Sequence, residues 1–297
     1  MANTNGFTKA VDLVEYQPAF ISGAKTYSWD HKKITTNKKT RRKTEQVFSH
    51  SGLPVAVPTS EGQNFYFAEP AELPATPFTM QKYTIGWHMT YEMGIYERHI
   101  GNFAQKQGKA MGNSLAYAKD TALVSVFDNA FTSGTLYDGS YLCATHTTRS
   151  GDSVDNALTD AALSYDNVWD SINYFDISMI NHEGMKFTSK AKYILTHGTN
   201  RKVLETILAA DRVPDSSDWN KSVLPSIQPI YCNFLSSTTA YFVLGEDFMD
   251  DFWVFTVDAP KYDKDSDIIK HGTLYTGWEI FGYGVKDYFN IVGNPGL

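Results

Sequence analysis

Cysteine is nearly missing from this chain. Cys143 and Cys232 are the only two in 297 residues, and they do not form a Cys-x-x-Cys pair. A disulfide framework is therefore excluded, and both thiols are expected to be buried and reduced, in a chain made in the cytosol. Long apolar runs are missing too. No window approaches 18 consecutive apolar residues, and runs such as FWVFTV at 252–257 have the length of a strand, so no membrane span is expected. The opening MANTNGFTKAVDL lacks a basic stretch followed by an apolar one, and no secretory leader is expected.

Signatures of catalysis and cofactor binding are equally scarce. There is no Gly-x-Gly-x-x-Gly after a strand, no phosphate loop ending Gly-Lys-Ser/Thr, no His-Glu-x-x-His, no Gly-x-Ser-x-Gly and no EF-hand loop. Gly101 to Lys109 contains Gly and Gly-Lys at the wrong spacing, inside an expected helix. His146, His182, His197 and His271 stand alone along the sequence, without a second ligand-type residue at metal-binding spacing, and are expected to be structural or surface residues. No catalytic residue, cofactor or metal is assigned, and the chain is not expected to be an enzyme.

What is present is aromatic. The 18 Phe, 18 Tyr and 6 Trp need burial in a core or an interface, which excludes a disordered or collagen-like chain. Charge is uneven. The net value is −7, yet KKITTNKKTRRK at 32–43 holds seven basic residues (Lys32, Lys33, Lys38, Lys39, Arg41, Arg42 and Lys43) and no acid, leaving −14 on the rest. Residues 246–267 carry eight acids, Asp250 and Asp251 among them, against Lys261 and Lys264. The basic run fits nucleic-acid contact, a nuclear-localisation-like run, docking on the acidic surface of another copy, or a solvated loop. The acids at 250–251 are expected in a solvated loop.

Along the chain, residues 1–36 read as an arm, with scattered apolar positions such as Phe7, Val11, Leu13, Val14, Phe20 and Trp29 but no core of their own. Residues 37–78 have little helical periodicity and a proline-rich end from Pro70 to Pro77. A two-stranded excursion projecting from the body explains such a segment, and it needs a partner for its apolar residues. From Gln81 to Tyr91, Tyr83, Ile85, Trp87, Met89 and Tyr91 alternate with Lys82, Thr84, Gly86, His88 and Thr90, which predicts a strand with one buried face.

From Glu97 to Phe131 the period changes. Ile100, Phe103, Ala104, Met111, Leu115, Ala118, Ala122 and Val126 fall on one helical stripe about 50 Å long, with Gly134 as the stop. Gly101, Gly108 and Gly112 inside it imply another element packed close across the helix, or an early bend. Downstream the pattern is α+β. Thr159 or Ser164 caps a helix carrying Tyr165, Val168, Trp169, Ile172 and Phe175, and a short helix at 200–210 has Val203, Leu204, Ile207 and Leu208 on one face. Strands are expected at 191–196, 240–245, 252–257 and 272–285.

This order of arm, excursion, alternating strand, spine-length helix, α+β region and long closing strand resembles the major capsid proteins of tailed bacteriophages. Their shell fold is shared with encapsulins and the herpesvirus capsid floor. Phe127 to Phe131 and then Asp138, Gly139, Leu142, Thr145 and His146 resemble the family's spine-helix end and the stretch after it. Asp155, Asn156 and Leu158, Gly184 to Phe187, Lys192 to Leu195, Pro214 and Thr238 to Phe242 resemble its axial domain. The ending Phe281, Gly282, Tyr283, Gly284, Val285, Asp287 and Tyr288 is similar to the closing strand of the Mu-like major head subunits.

The resemblance implies an α+β capsid shell fold with an N-terminal arm at 1–36 and a long β-hairpin extended loop at 37–78. It implies a peripheral domain at 79–136 plus 258–285 around a spine helix near 97–131, and an axial domain at 137–257 plus 286–297. It further implies self-assembly into hexamers and pentamers of an icosahedral shell around double-stranded DNA, in a virion assembled in host cytoplasm, with portal and decoration proteins as further partners. The scaffolding extension fused to some relatives is absent, which implies a separate scaffold protein or a processed chain. No cross-linking Lys or Asn is assigned. Lys32, Lys33, Lys38, Lys39, Arg41, Arg42 and Lys43 are expected to dock on acidic surface of an adjacent subunit, around Asp250 and Asp251. The alternatives are an encapsulin-like nanocompartment, and an unrelated α+β enzyme or carbohydrate-binding module.

Overall fold

The computed structural model describes residues 16–90, 92, 103–134, 136–159, 161–186, 189–210, 224–267 and 272–296. Helix α1 (Gln17–Gly23) is followed by a 3-10 turn (His31–Lys33) and strands β1 (Thr36–Lys39), β2 (Thr44–Val47), β3 (Thr76–Thr79) and β4 (Gln81–Thr90). The long helix α2 spans Phe103–Asp128. Then come β5 (Thr145–Thr147), β6 (Ser153–Asp155), α3 (Tyr165–Asn173), β7 (Ala191–Thr196), α4 (Arg201–Leu208), β8 (Gln228–Tyr231) and β9 (Tyr241–Gly245). The last strands are β10 (Phe252–Asp267), β11 (Gly272–Val285) and β12 (Ile291–Asn294).

Two four-stranded sheets organise the chain, one in the order β1-β10-β11-β4 and the other β12-β9-β7-β8, with two-stranded pairs β2-β3 and β5-β6. Helix α2 joins the two sheets. Its Met111 and Leu115 bury against Tyr275 of β11, in a core with Tyr16 and Phe20. Its last turns carry Leu123, Val124 and Phe127 into the largest core, beside β7, β9, β12 and the start of β10. Phe127 lies 5.3 Å from Phe242 and 5.8 Å from Phe252, ring centre to ring centre. The alternating strand is found as expected, at Gln81–Thr90. Two of its inward rings stack on β11: Tyr83 on Phe281 at 4.5 Å and Trp87 on Tyr275 at 4.8 Å.

The helix glycines have a specific cause. A Cβ on Gly112 would sit 2.2 Å from the Phe20 carbonyl oxygen, and one on Gly23 would sit 2.3 Å from that of Lys109. Helices α1 and α2 therefore cross backbone to backbone, which only glycine permits. The element packed across the long helix is the arm itself. From residue 16 on, the arm packs on its own chain: Tyr16, Phe20, Ala24, Trp29 and Ile34 are all buried there. Residues 1–15, with Phe7, Val11, Leu13 and Val14, lie outside the described residues, as do 97–102 of the expected helix, Pro214 and His271.

Other expectations shift by smaller amounts. Ser164, not Thr159, caps α3, accepting from the Asn167 amide at 3.3 Å. Val203 is exposed, and only Leu204 and Ile207 of its helix are fully buried. The strand expected at 252–257 runs on through the acidic stretch as one 16-residue strand, because β11 pairs with it from Phe252↔Val285 to Asp267↔Gly272, across irregularities near Asp258. A third of the basic run is also strand. β1 lies parallel to β10 with Thr36 opposite Trp253 and Lys39 opposite Thr256.

Candidate assembly surfaces

The excursion is built as a hairpin with a packed base and an open end. Val47, Phe78 and Met80 bury against Phe255, fixing β2 and β3 to the first sheet. Pairing continues through a bridge at His50↔Glu72, and the Ser51 amide donates to the Ala71 carbonyl at 3.0 Å. Beyond that point the chain stands in solvent. Leu53, Val55 and Val57 are exposed on the outgoing side, and Phe65, Tyr66 and Phe67 are 80%, 61% and 87% exposed on the return. Between them Gly62 takes φ +84, and Gln63 donates to the Ser60 carbonyl at 3.1 Å to close the turn. Apolar exposure this concentrated marks an interaction surface.

The basic run divides by position. Lys38 lies with its ammonium 2.9 Å from the centre of the Trp253 ring, while burial and then Lys286 lower its pKa. Lys33 pairs with Asp30 at 2.8 Å, Arg42 approaches Glu45 at 3.6 Å, and Lys32 lies 4.6 Å from the Tyr27 ring centre. Lys32, Lys39, Arg41, Arg42 and Lys43 are exposed. The Thr36 hydroxyl donates to the Met249 carbonyl at 2.6 Å, so the run and the acidic tract already meet inside one subunit.

The two acids singled out part company. Asp250 is exposed, and its carbonyl accepts from the Trp253 indole at 2.6 Å. Asp251 is buried, 3.2 Å from the Lys286 ammonium and 3.1 Å from the Asn290 amide that donates to it. It is committed within its own chain. Burial pushes its pKa up to about 6, with Lys286 pulling the other way and Asp287 adding to the rise. A carboxyl that titrates near 6 when folded and near 3.8 when unfolded takes up its proton first in the folded state, so its contribution to stability grows as pH falls from about 6 toward 3.8. Asp251→Asn should lose that increment, about 2–3 kcal/mol at most. Denaturant unfolding at pH 7 and at pH 4.5 checks it, and variant and parent curves that run parallel would refute it.

A buried polar cluster escaped the sequence reading. His146 pairs with Asp138 at 2.6 Å, and His182 lies 3.1 Å from Asp287. The Tyr137 hydroxyl lies 3.2 Å from the His182 ring and donates to Asp287 at 3.3 Å, and Tyr288 stacks on His146 at 3.9 Å. Burial pushes Asp138 up, but hydrogen bonds from His146 and the Ser140 amide outweigh it and hold the carboxyl below its ordinary range. His146 and His182, alone in sequence, are thus each faced by a carboxylate, whereas His197 partners Thr199. Together the two buried pairs pin residues 137–146, the turn at 182 and the segment after β11 in one closed interior. Among the described residues, no three His, Cys, Asp or Glu side chains converge as metal ligands.

One groove flanks the basic run, between α1, β1 and the irregular part of β10. It encloses about 580 Å³. Ile21, Ala24, Ala259 and Pro260 give it apolar walls, and Lys25, Lys32, Lys38 and Lys39 line it with charge. Lys119 of α2 and Glu279 of β11 also face it, paired to each other at 2.5 Å.

No family profile and no curated protein matches the sequence. Solved structures do. The capsid of the cyanophage P-SCSP1u is similar over 91% of this chain and 89% of its own, with a TM-score of 0.63 at 12% identity. The capsid of a native GTA particle is similar over 89% and 88%, with a TM-score of 0.61 at 11% identity. A virus-like particle from Pyrococcus furiosus is similar over 94% and 97%, with a TM-score of 0.51 at 10% identity. The chain therefore has the α+β shell fold of phage capsid proteins.

Proposed function

We propose that this chain is a capsid protein that assembles with copies of itself into hexamers and pentamers of a closed icosahedral shell around double-stranded DNA. The observation that carries this reading is the excursion. A polypeptide that buries its core in two sheets, yet holds Phe65, Tyr66 and Phe67 in water at the end of an anchored hairpin, has surface to give to a partner. In a shell each contact can be modest, because one subunit engages several neighbours and the contacts act together.

In this reading the parts follow the two sheets, so the boundary expected at 257/258 moves to the start of β10 and β1 joins the peripheral part. The sheet β1-β10-β11-β4 with the first turns of α2 serves as the peripheral domain, and the sheet β12-β9-β7-β8 with α3 and α4 as the axial one. The reading assigns the chain no bond-making step. Its further partners are a separate scaffold, a portal and decoration proteins. Its place is the virion, after assembly in host cytoplasm, and the closing segment from Phe281 to Tyr288 supports kinship with the Mu-like branch. An acidic body argues against extensive binding to DNA phosphates, so the exposed cations of the basic run are assigned to acidic surface on a neighbour. The likeness to a virus-like particle favours a second reading, a shell around protein cargo.

Sedimentation and negative-stain microscopy of the expressed chain test the proposal: closed particles or capsomers are expected, and a monomer at all concentrations would overturn it. Nucleic acid inside particles isolated from the native source separates the genome shell from the protein-filled one. Because exposed charges are screened beyond about 8 Å at physiological salt, the concentration needed for assembly should rise with ionic strength. Indifference to salt would remove the charge-docking part alone.

A further inference from the structure

The groove between α1, β1 and β10 is lopsided in charge. Lys25, Lys32, Lys38 and Lys39 line it, and its one acid among the described residues, Glu279, is already neutralised by Lys119. Two of the four cations rest on rings instead of carboxylates: Lys32 lies 4.6 Å from the Tyr27 ring centre, and Lys38 2.9 Å from that of Trp253. A second recess shares Lys25, Tyr27 and Lys32 with the groove, and its acid, Asp30, is held by Lys33 at 2.8 Å. Neutral donors stand among the cations. Tyr27, Asn37 and Thr256 belong to the same lining, and burial, then Glu279 and Asp120, push the Tyr27 pKa up to about 12, so its hydroxyl keeps its proton. Apolar lining comes from Ile21, Ala24, Ala259 and Pro260. At about 580 Å³ the groove has the capacity of a small-molecule site.

We infer that this groove binds a nucleoside triphosphate, with the phosphates on the lysines and the base and sugar against the apolar lining. Each part of the lining narrows the choice of ligand. The four cations call for several negative charges at once, and an ammonium on a flexible stem meets phosphate as a point charge from many angles. A single carboxylate would leave most of them unpaired. The apolar lining calls for a nonpolar face on the same molecule, which an inorganic polyphosphate lacks and a planar base supplies. Donors from Tyr27, Asn37 and Thr256 suit phosphate and sugar oxygens. The lining comes from one chain, so the inference goes beyond the shell reading and does not depend on it. A nucleic-acid duplex is the other source of phosphate. It would meet exposed Arg41, Arg42 and Lys43, which lie outside the lining, as readily as the groove lysines.

Equilibrium dialysis of labelled adenosine triphosphate against the full chain tests it, at low salt, without divalent cations and below the assembly concentration. One nucleotide per chain is expected. Unlabelled inorganic triphosphate and adenosine should each compete about tenfold more weakly or worse, since each offers only part of the ligand. Lys25→Gln, Lys32→Gln and Lys39→Gln are introduced together, with Lys38 left on its Trp253 ring. Arg41→Gln, Arg42→Gln and Lys43→Gln form a control that removes the same charge outside the groove. All six positions are exposed, and thermal melting shows whether each variant is folded; if the lysine variant is not, Lys25→Gln with Lys39→Gln replaces it. The groove variant should lose about tenfold or more in affinity, and the control less than about threefold. No binding at millimolar nucleotide overturns the inference. So does equal weakening by both variants, which would mean a general attraction of polyanions to the basic run. Inorganic triphosphate that competes as well as the nucleotide overturns it, because the apolar lining then contributes nothing. A DNA duplex that displaces the nucleotide at lower phosphate concentration overturns it by naming another occupant. None of these readouts needs a particle, so failure of the shell reading leaves the inference standing, and its own failure leaves that reading untouched.

Discussion

Replacing residues 52–70 with a two-residue Asn-Gly turn should give a monomer that melts within a few degrees of the full chain and forms no shell. The cut falls where the structure makes it safe. Ser51 and Ala71 are hydrogen-bonded across the hairpin, so a tight turn can close it there, while Val47 and Phe78 stay in the core that anchors β2 and β3. A deletion from 44 to 76 would take Val47 with it and confound folding with assembly. What is removed contributes almost nothing to the subunit's own burial, since most of residues 52–70 are exposed. What it contributes to a neighbour is large. Burying three aromatic rings at about 1.5–3 kcal/mol each gives on the order of 5–9 kcal/mol per contact. At 1.4 kcal/mol per tenfold, that is roughly a thousandfold or more in affinity, repeated at every contact of a lattice. Particles of normal size at parental protein concentration would remove the interlocking role.

The same physics explains why residues 16–34 fold inward while the hairpin folds outward. The residues from Tyr16 to Ile34 find a ready surface at the α2 glycines, where backbone approaches backbone and Phe20 enters a core with Met111, Leu115 and Tyr275. No comparable notch receives Phe65 to Phe67 within their own subunit, and their exposure shows it. A subunit whose first described helix is locked across its long helix offers neighbours a fixed platform. Among the described residues, the hairpin end carries the densest exposed aromatic surface left for a neighbour in the proposed shell.

Much of this architecture is legible in the sequence, for local reasons. β4 betrays itself by strict alternation, β7 by a short apolar-rich run, β11 by an aromatic and glycine-rich one, and α2 by its stripe and its glycines. The elements that stay hidden depend on distant partners. Nothing in TNKK announces a strand; β1 exists because β10 offers an edge and Trp253 a face for the Lys38 stem. β10 runs through Asp258, Asp263 and Asp265 because β11 pairs with it across the whole length. β12 is four buried residues, too short for a pattern to show. His146 finds Asp138 eight positions away, but His182 meets Asp287 across more than a hundred, and no spacing rule reaches that far. The groove is of the same kind: its lysines are visible in the sequence, and its apolar walls come from α1 and from the irregular part of β10.

Lys119 and Glu279 carry the largest stability effect expected of a single side chain. Both are buried, 2.5 Å apart, and they tie the middle of α2 to β11, with the ammonium also 4.9 Å from the centre of the Phe281 ring. Two charges taken out of water gain little net energy from each other, since attraction must first offset the loss of hydration. The asymmetry appears when one is removed. Lys119→Met leaves Glu279 charged and buried without its cation, at a cost of about 3–5 kcal/mol in unfolding free energy. Replacing both, as Lys119→Met with Glu279→Leu, should return most of that loss, because an apolar pair of similar volume suits the surroundings. Urea unfolding of the three chains at pH 7 measures the difference. Equal stability of the single variant and the parent would mean that the pair is open to water. A double variant as weak as the single would mean that the site depends on shape rather than charge.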